Sequence, residues 1–220
     1  MLYEHPLSFY ALSLVAVVIL LAGLATVINL WRQGQAPPSA QWTTQGLLKT
    51  LLFKVLFQVQ ILRRSWLRWI MHMAIFWGIL ALFAQTAFLT LLQWVIPRST
   101  SFSQYFFQGP GRLALDFWGD FWGLVLLVGL IIALVRRYLV RPPQLETLFD
   151  DAIALWLLVL VVVSGFITEA VRLALASPMD GGGLSFIGRP LANLIGTLGA
   201  SDPMTWFWIH GVTALVAIAY

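Results

Sequence analysis

From Leu7 to Leu30 the sequence runs without a charged side chain. In contact with lipid such a run has one stable solution, a helix that satisfies every backbone N–H and C=O within itself. Comparable runs recur at about Trp66–Val95, Leu113–Val140 and Leu148–Ala176, and another opens near Pro203 and is still apolar at Tyr220. Five spans are therefore expected. The fifth lacks a second polar flank, which predicts either a truncated chain or one that continues. With 60% apolar and only 10% charged residues among 220, the chain lies far outside the composition of a soluble domain.

The connecting segments are read by what interrupts them. GQAPPSAQ after Arg32 is a turn. Gly46–Leu62 is broken by Lys49, Lys54, Gln58 and Gln60, so it is expected to lie in the interface as an amphipathic helix. RSTSFSQYFFQGPGR reads as a polar loop, and PMDGGGLSFIGRP as a Gly/Pro-rich one. Leu191–Leu198 is too short to span and is expected at the surface. The expected fold is thus all-α: one polytopic transmembrane helical bundle over residues 1–220, with five spans plus one interfacial amphipathic helix. No internal repeat, Walker loop, zinc motif or hydrolase elbow is visible. The absence of cysteine excludes disulfides and thiolate-held clusters within this chain. No convincing secretory signal is present, because Met1–Pro6 lacks a basic region.

The net charge of +4 carries topology rather than affinity for nucleic acid. Arg32, Lys49, Lys54, Arg63, Arg64 and Arg68 lie between spans one and two, and Arg136, Arg137 and Arg141 between three and four. The other face has Arg98, Arg112, Arg172 and Arg189. Nine against four places the N-terminus outside a cell inner (plasma) membrane. The basic face and the interfacial helix are then candidates for docking a cytoplasmic partner, with plain positive-inside topology as the alternative.

Chemistry rests on few side chains. The histidines are His5, His72 and His210. His72 follows Arg63-Arg64 and the Trp66/Trp69 pair by about two turns, and His210 sits at similar depth in the fifth span. An ionisable group at that depth is costly and so a functional candidate. A neutral imidazole inside a membrane helix is also the usual axial ligand of a haem iron. The alternative is a packing histidine bonded to a backbone carbonyl, and for His5, in the tail, the plain reading prevails. Small residues follow both central histidines (Gly78, Ala81, Ala84; Gly211, Ala214, Ala217), and Gly211 could admit a flat ring, although such residues are common at any helix contact in lipid. Trp77, Trp118, Trp122 and Trp208 are assigned to belt and packing. Four charges remain. Asp116 and Asp120 are one turn apart, and Glu169 and Arg172 stand at i,i+3 on one face. They are either an interfacial ion pair with helix-start carboxylates, or a proton and quinone site.

RWIMHMAIFWGILALF, RRYLVRPPQLETLFDD, SGFITEAVRLA and TWFWIHGVTALVAIAY occur in this order and with these gaps. Together they resemble the five-helix cytochrome b (gamma) subunit of respiratory nitrate reductase. They resemble more closely the related membrane domain of heterodisulfide-reductase-like iron–sulfur oxidoreductases, over most of Gly46–Tyr220. The resemblance implies a haem b subunit that moves electrons between the quinone pool and an iron–sulfur partner on the cytoplasmic side. It makes His72 and His210 iron ligands. The residues themselves, not the resemblance, suggest Glu169 and Arg172 as a quinone and proton relay beside the outer haem, with Asp116 and Asp120 as the exit. The family's second ligand on span two falls near Leu82, which cannot ligate, and that on span five beyond Tyr220, so one or two haems are implied. Helix rise sets His72 about 9 Å from Trp66 and His210 about 12 Å from Asp202. In a core of roughly 30 Å this offsets the two by about 10 Å, which tilt could remove, so a shared haem stays open. Two rival classes share some features. A haem-free membrane anchor for a peripheral enzyme has the same topology, whereas a transporter calls for broken helices or repeated halves.

Overall fold

In a computed structural model of the chain, the described residues are 7–34, 43–143, 148–175, 183–198 and 202–220. His5, the GQAPPSAQ turn and most of the PMDGGG segment lie outside them. Every element among the described residues is helical: α1 (Leu7–Arg32), α2 (Thr44–Thr50), α3 (Val59–Leu62), α4 (Trp66–Trp94), α5 (Ser101–Phe107), α6 (Pro110–Leu134), α7 (Phe149–Leu175), α8 (Gly188–Leu198) and α9 (Pro203–Ala219). Two π-helical turns continue α2 through Leu51–Leu56 and α6 through Val135–Val140. Four helices are long and apolar enough to cross a membrane, namely α1, α4, α6 with its π turn, and α7. The fifth apolar run forms α9, 17 residues long, which falls short of that length.

Contacts divide the chain into two units, Met1–Trp69 with Gly211–Tyr220, and Ile70–His210. In the first unit α1 is apolar all round. Its Phe9 ring occupies the space beside Gly211, where an added Cβ would lie 2.6 Å from Cε2. The flat ring that Gly211 admits is thus a phenylalanine of the same chain. The segment expected to form one interfacial helix is helical in two pieces. Thr43 caps α2, its Oγ1 accepting from Gly46 N at 3.1 Å. The helix then loosens into the π turn and breaks at Gln58, whose φ of 45° is left-handed. The indole N–H of Trp69 donates to Phe57 O at 2.7 Å, satisfying a carbonyl at the break. No residue of α2, its π turn or α3 is fully buried, and Leu52, Leu56, Val59 and Ile61 are half-buried.

The second unit is built by close approach at glycines. A Cβ on Gly78 would stand 2.7 Å from Leu126 Cβ, and one on Gly129 2.9 Å from Ala74 Cβ, so α4 and α6 pack nearly backbone to backbone. Gly78 and Ala81, two of the small residues that follow His72, serve this contact, while Ala84 is exposed. Polar cross-links reinforce it: Gln85 Nε2 donates to Leu115 O at 3.0 Å and Trp118 Nε1 to Ala81 O at 3.2 Å. Leu126, Leu130, Leu155 and Val162 form the core between α6 and α7, with Leu82 and Ile75 packed against it from α4. The polar loop after Pro97 contains α5, capped by Thr100, whose Phe102, Tyr105 and Phe106 make edge-to-face contacts with one another and with Phe88.

Two expectations are refined here. Leu191–Leu198, expected at the surface, belongs to an eleven-residue amphipathic helix, α8, that packs one face on the end of α7 and exposes the other. Ala192 is buried against Ala170 and Leu173, with Leu191 and Ile195 flanking it. Arg137 is not an open docking cation either: its guanidinium bonds Asp151 at 2.7 Å and ties the end of the π turn to the start of α7.

Candidate functional site

His210 and His72 stand in different surroundings. His210 is half-buried at the point where α9 crosses α7. Its Nδ1 lies 3.1 Å from Ser164 Oγ, which is itself 3.1 Å from Val161 O. Ser164 has one hydroxyl hydrogen. Donated to Val161 O, it leaves Oγ to accept from Nδ1–H, which satisfies both groups and puts the imidazole lone pair on Nε2. Below the ring is Gly165, where an added Cβ would come within 3.2 Å of Cε1. Thr168 Oγ1, one turn on, lies 2.8 Å from Ser164 O in its own helix and 3.1 Å from Trp206 O at the start of α9, and its single hydrogen serves these two carbonyls. The α9 N-terminus is capped by Asp202, which accepts from Thr205 N at 3.0 Å and Met204 N at 3.3 Å. The side-chain bond from Thr205, with those two amides, holds the exposed Asp202 carboxyl below its ordinary pKa. Neither Ser164 nor Gly165 is singled out by the sequence reading, although both sit in the SGFITEAVRLA stretch. Only their pairing with a residue 46 positions away marks them.

His72 is exposed on α4, between the buried Met71 and Met73. Leu82, at the family's second-ligand position, packs into the core and gives no donor. Among the described residues no group of three or more His, Asp or Glu converges as a metal site. A haem needs only axial donors, and the imidazole arrangement at His210 suits one: a ring oriented by Ser164 and a glycine beside it.

The four charges form a single network. Arg172 donates from Nε to Glu169 Oε2 at 2.9 Å and from Nη2 to Glu169 Oε1, and the same Nη2 reaches Asp116 Oδ1 at 3.2 Å. Arg112 closes it with a 3.1 Å bond from Nε to Asp116. The expected Glu169–Arg172 pair is therefore present, extended by Asp116, which is 8% exposed. Asp120 is separate. Its Oδ2 accepts from Ser185 Oγ at 2.9 Å, Ile187 N at 2.7 Å and Gly188 N at 3.2 Å, so it caps α8 from another helix. One oxygen of this carboxylate thus clamps the Ser185–Gly188 turn.

A multi-pass helical membrane protein, in which α7 holds the imidazole of His210 on α9 and shares a charge network with α6, is what fold and site define. Comparison with known proteins gives the family. Residues 48–181 match the HdrE family, the E subunit of dihydromethanophenazine:CoB–CoM heterodisulfide reductase, and the chain belongs to it. Its similarity is to the heterodisulfide reductase side of the expected resemblance, not to the nitrate reductase gamma subunit. The HdrE protein of Methanosarcina thermophila is 32% identical over 152 residues, covering 68% of this chain and 56% of that protein. The Methanosarcina barkeri protein is 29% identical over 147 residues, 67% of this chain and 55% of that one. The Methanosarcina mazei protein is 28% identical over 186 residues, 73% and 71% respectively. Against the first two the chain spans a little over half of the relative's length. No solved structure matches. The family match takes in His72, Asp116, Asp120, Glu169 and Arg172 and ends before His210.

Proposed function

We propose that this chain is a haem b membrane subunit that carries electrons between a lipid-soluble quinol-type carrier and an iron–sulfur oxidoreductase. The relatives are named for dihydromethanophenazine, so the carrier class includes dihydrophenazines as well as quinols. The observation that carries the proposal is the Ser164–His210 bond over Gly165, because it prepares one ring nitrogen for a metal and fixes the other. His72 and His210 would hold the iron of one or two haems, His72 offering an imidazole on an exposed face of α4. Haem b, when bound, supplies a one-electron couple.

The chain's own residues deal with protons. Oxidising a quinol or dihydrophenazine releases two electrons and two protons, and iron takes only electrons. Glu169 is the proton relay in this reading, taking the two protons one at a time and passing each to water before the next, and Arg172 can hold either Glu169 or a carrier oxygen or nitrogen by charge-assisted bonds. In the resting network Arg172 is engaged by Glu169 and Asp116, so a carrier must replace one of them. Asp116 then keeps Arg172 in place while Glu169 exchanges its proton.

In the same proposal α9 belongs to a fifth span, the N-terminus faces outward, and the partner docks on the cytoplasmic side against Lys49, Lys54, Arg63 and Arg64. The haem-free anchor is favoured by one fact, that the family match ends before His210. A reduced-minus-oxidised visible spectrum of the purified protein separates the two: a b-type α band supports the proposal, and its absence leaves the anchor.

A further inference from the structure

Asp116 and Asp120 share a face of α6, one turn apart, yet only Asp116 enters the charge network. Asp120 is 2% exposed and spends a single oxygen on three donors, all from Ser185 to Gly188. A buried carboxylate needs such partners, and here one short turn of chain supplies all three. What it fixes in return lies at the charge network. Gly188 is seated so close to α7 that an added Cβ would be 3.0 Å from Glu169 Cγ and 3.1 Å from Leu173 Cδ1. Phe186, between the clamped residues, is brought to 5.8 Å from the Phe117 ring, and Phe117 stacks with Phe121. Polar head and apolar wall thus meet at that turn, and one carboxylate holds it.

We infer that Asp120 is a positioning residue for the carrier site: by clamping the Ser185–Gly188 turn it seats Gly188 over Glu169 and sets Phe186 as the wall against which the carrier's flat ring lies. The inference rests on the Glu169–Arg172 reading proposed above. Asp120 touches no substrate in it. Its effect passes through the turn to the substrate's apolar contacts, so it belongs to binding rather than to proton transfer. The alternative is a purely structural clamp, whose loss would lower the amount of folded protein and leave the surviving molecules kinetically normal.

The test uses the full-length protein in its membranes, with duroquinol or a reduced water-soluble phenazine as donor and haem reduction as readout, normalised to haem content. Asp120→Asn removes the charge and keeps the shape. It should raise the donor KM about tenfold with kcat little changed, the pattern of lost uniform binding. Gly188→Ala keeps the Asp120 side chain but crowds the same turn, its new Cβ meeting Ser185 Oγ at 2.5 Å and Glu169 Cγ at 3.0 Å, and should raise KM in the same direction. The double variant should add less than the two singles together, because both act through one turn. Glu169→Gln, assayed alongside, keeps the two failures apart. Slow reduction in Glu169→Gln with wild-type KM in Asp120→Asn would overturn the inference and leave the proposed site standing. Wild-type rates in Glu169→Gln would overturn that site, and the inference with it.

Discussion

Ser164 on α7 holds Nδ1 of His210 at 3.1 Å, and the next residue along, Gly165, is the floor on which the same ring rests. The position of the imidazole is thus set by adjacent residues of one helix. Ser164→Ala should leave the helices intact but weaken iron binding about ten- to a hundredfold, the usual effect of losing a ligand's outer hydrogen bond. Haem retention during detergent washing measures this. Ser164→Thr keeps a hydroxyl and should retain haem better than Ser164→Ala, whereas equal retention in all three would remove Ser164 from the site.

The charge network predicts unequal consequences for its two ends. Glu169→Gln should keep the haem spectrum and slow haem reduction by added quinol. Arg172→Gln should also lower stability, because it leaves Glu169 and Asp116 without their shared cation. Thermal unfolding in detergent ranks the variants, and an Arg172→Gln protein as stable as Glu169→Gln would contradict the bridging role.

Helix contact at glycine gives a prediction independent of any cofactor. Gly78→Ala places a methyl 2.7 Å from Leu126 Cβ and should cost about 1–3 kcal/mol through overpacking. Gly196→Ala, on α8 with nothing within 4 Å of the new methyl, should instead gain about 0.5–1 kcal/mol from helix propensity. Melting temperatures moving in the same direction would refute the packing described for α4 and α6.

Asp202 sets an acid dependence at the start of α9. Its folded-state pKa is lowered from the ordinary 3.8 by the Thr205 side chain first and then by the Met204 and Thr205 amides. A lowered carboxylate pKa contributes stability that is fully present above the ordinary value and fades as pH falls through the folded one. The stability difference between wild type and Asp202→Ala should therefore be constant above about pH 5 and shrink below about pH 4. A difference that persists unchanged to the lowest accessible pH would show that the cap does not depend on the charge.

Partner docking should follow the cations that are open. Lys49→Glu with Lys54→Glu should lower retention of the iron–sulfur partner, and added salt should imitate the effect, since both lysines are exposed. Arg137→Glu should act instead on the junction with α7 that its bond to Asp151 makes. Unchanged retention in the double lysine variant would assign those charges to membrane topology alone.

The long spans were legible because lipid leaves an apolar run a single backbone solution, and the Glu169–Arg172 pair because i,i+3 spacing brings it together without tertiary help. α8 was read by length, which placed it at the surface. Its spacing, with Leu191, Ala192 and Ile195 on one stripe, was the signal that it packs. The break at Gln58 carries no glycine or proline, and a contributor to it, the Trp69 indole, lies twelve residues from Phe57. Asp120 and Ser164 escaped for the same reason. Their partners stand 65 and 46 positions away, and nothing local distinguishes a clamp from a helix-start carboxylate or a ligand's anchor from a packing serine.

The central claim, that His72 and His210 hold haem b, is tested most directly by the reduced-minus-oxidised spectrum of membranes carrying His72→Ala, His210→Ala and His5→Ala separately. The account predicts that each of the first two abolishes or shifts the b-type bands and that His5→Ala leaves them as in wild type. Wild-type bands in both central variants, or no bands in the unmodified protein, would contradict it.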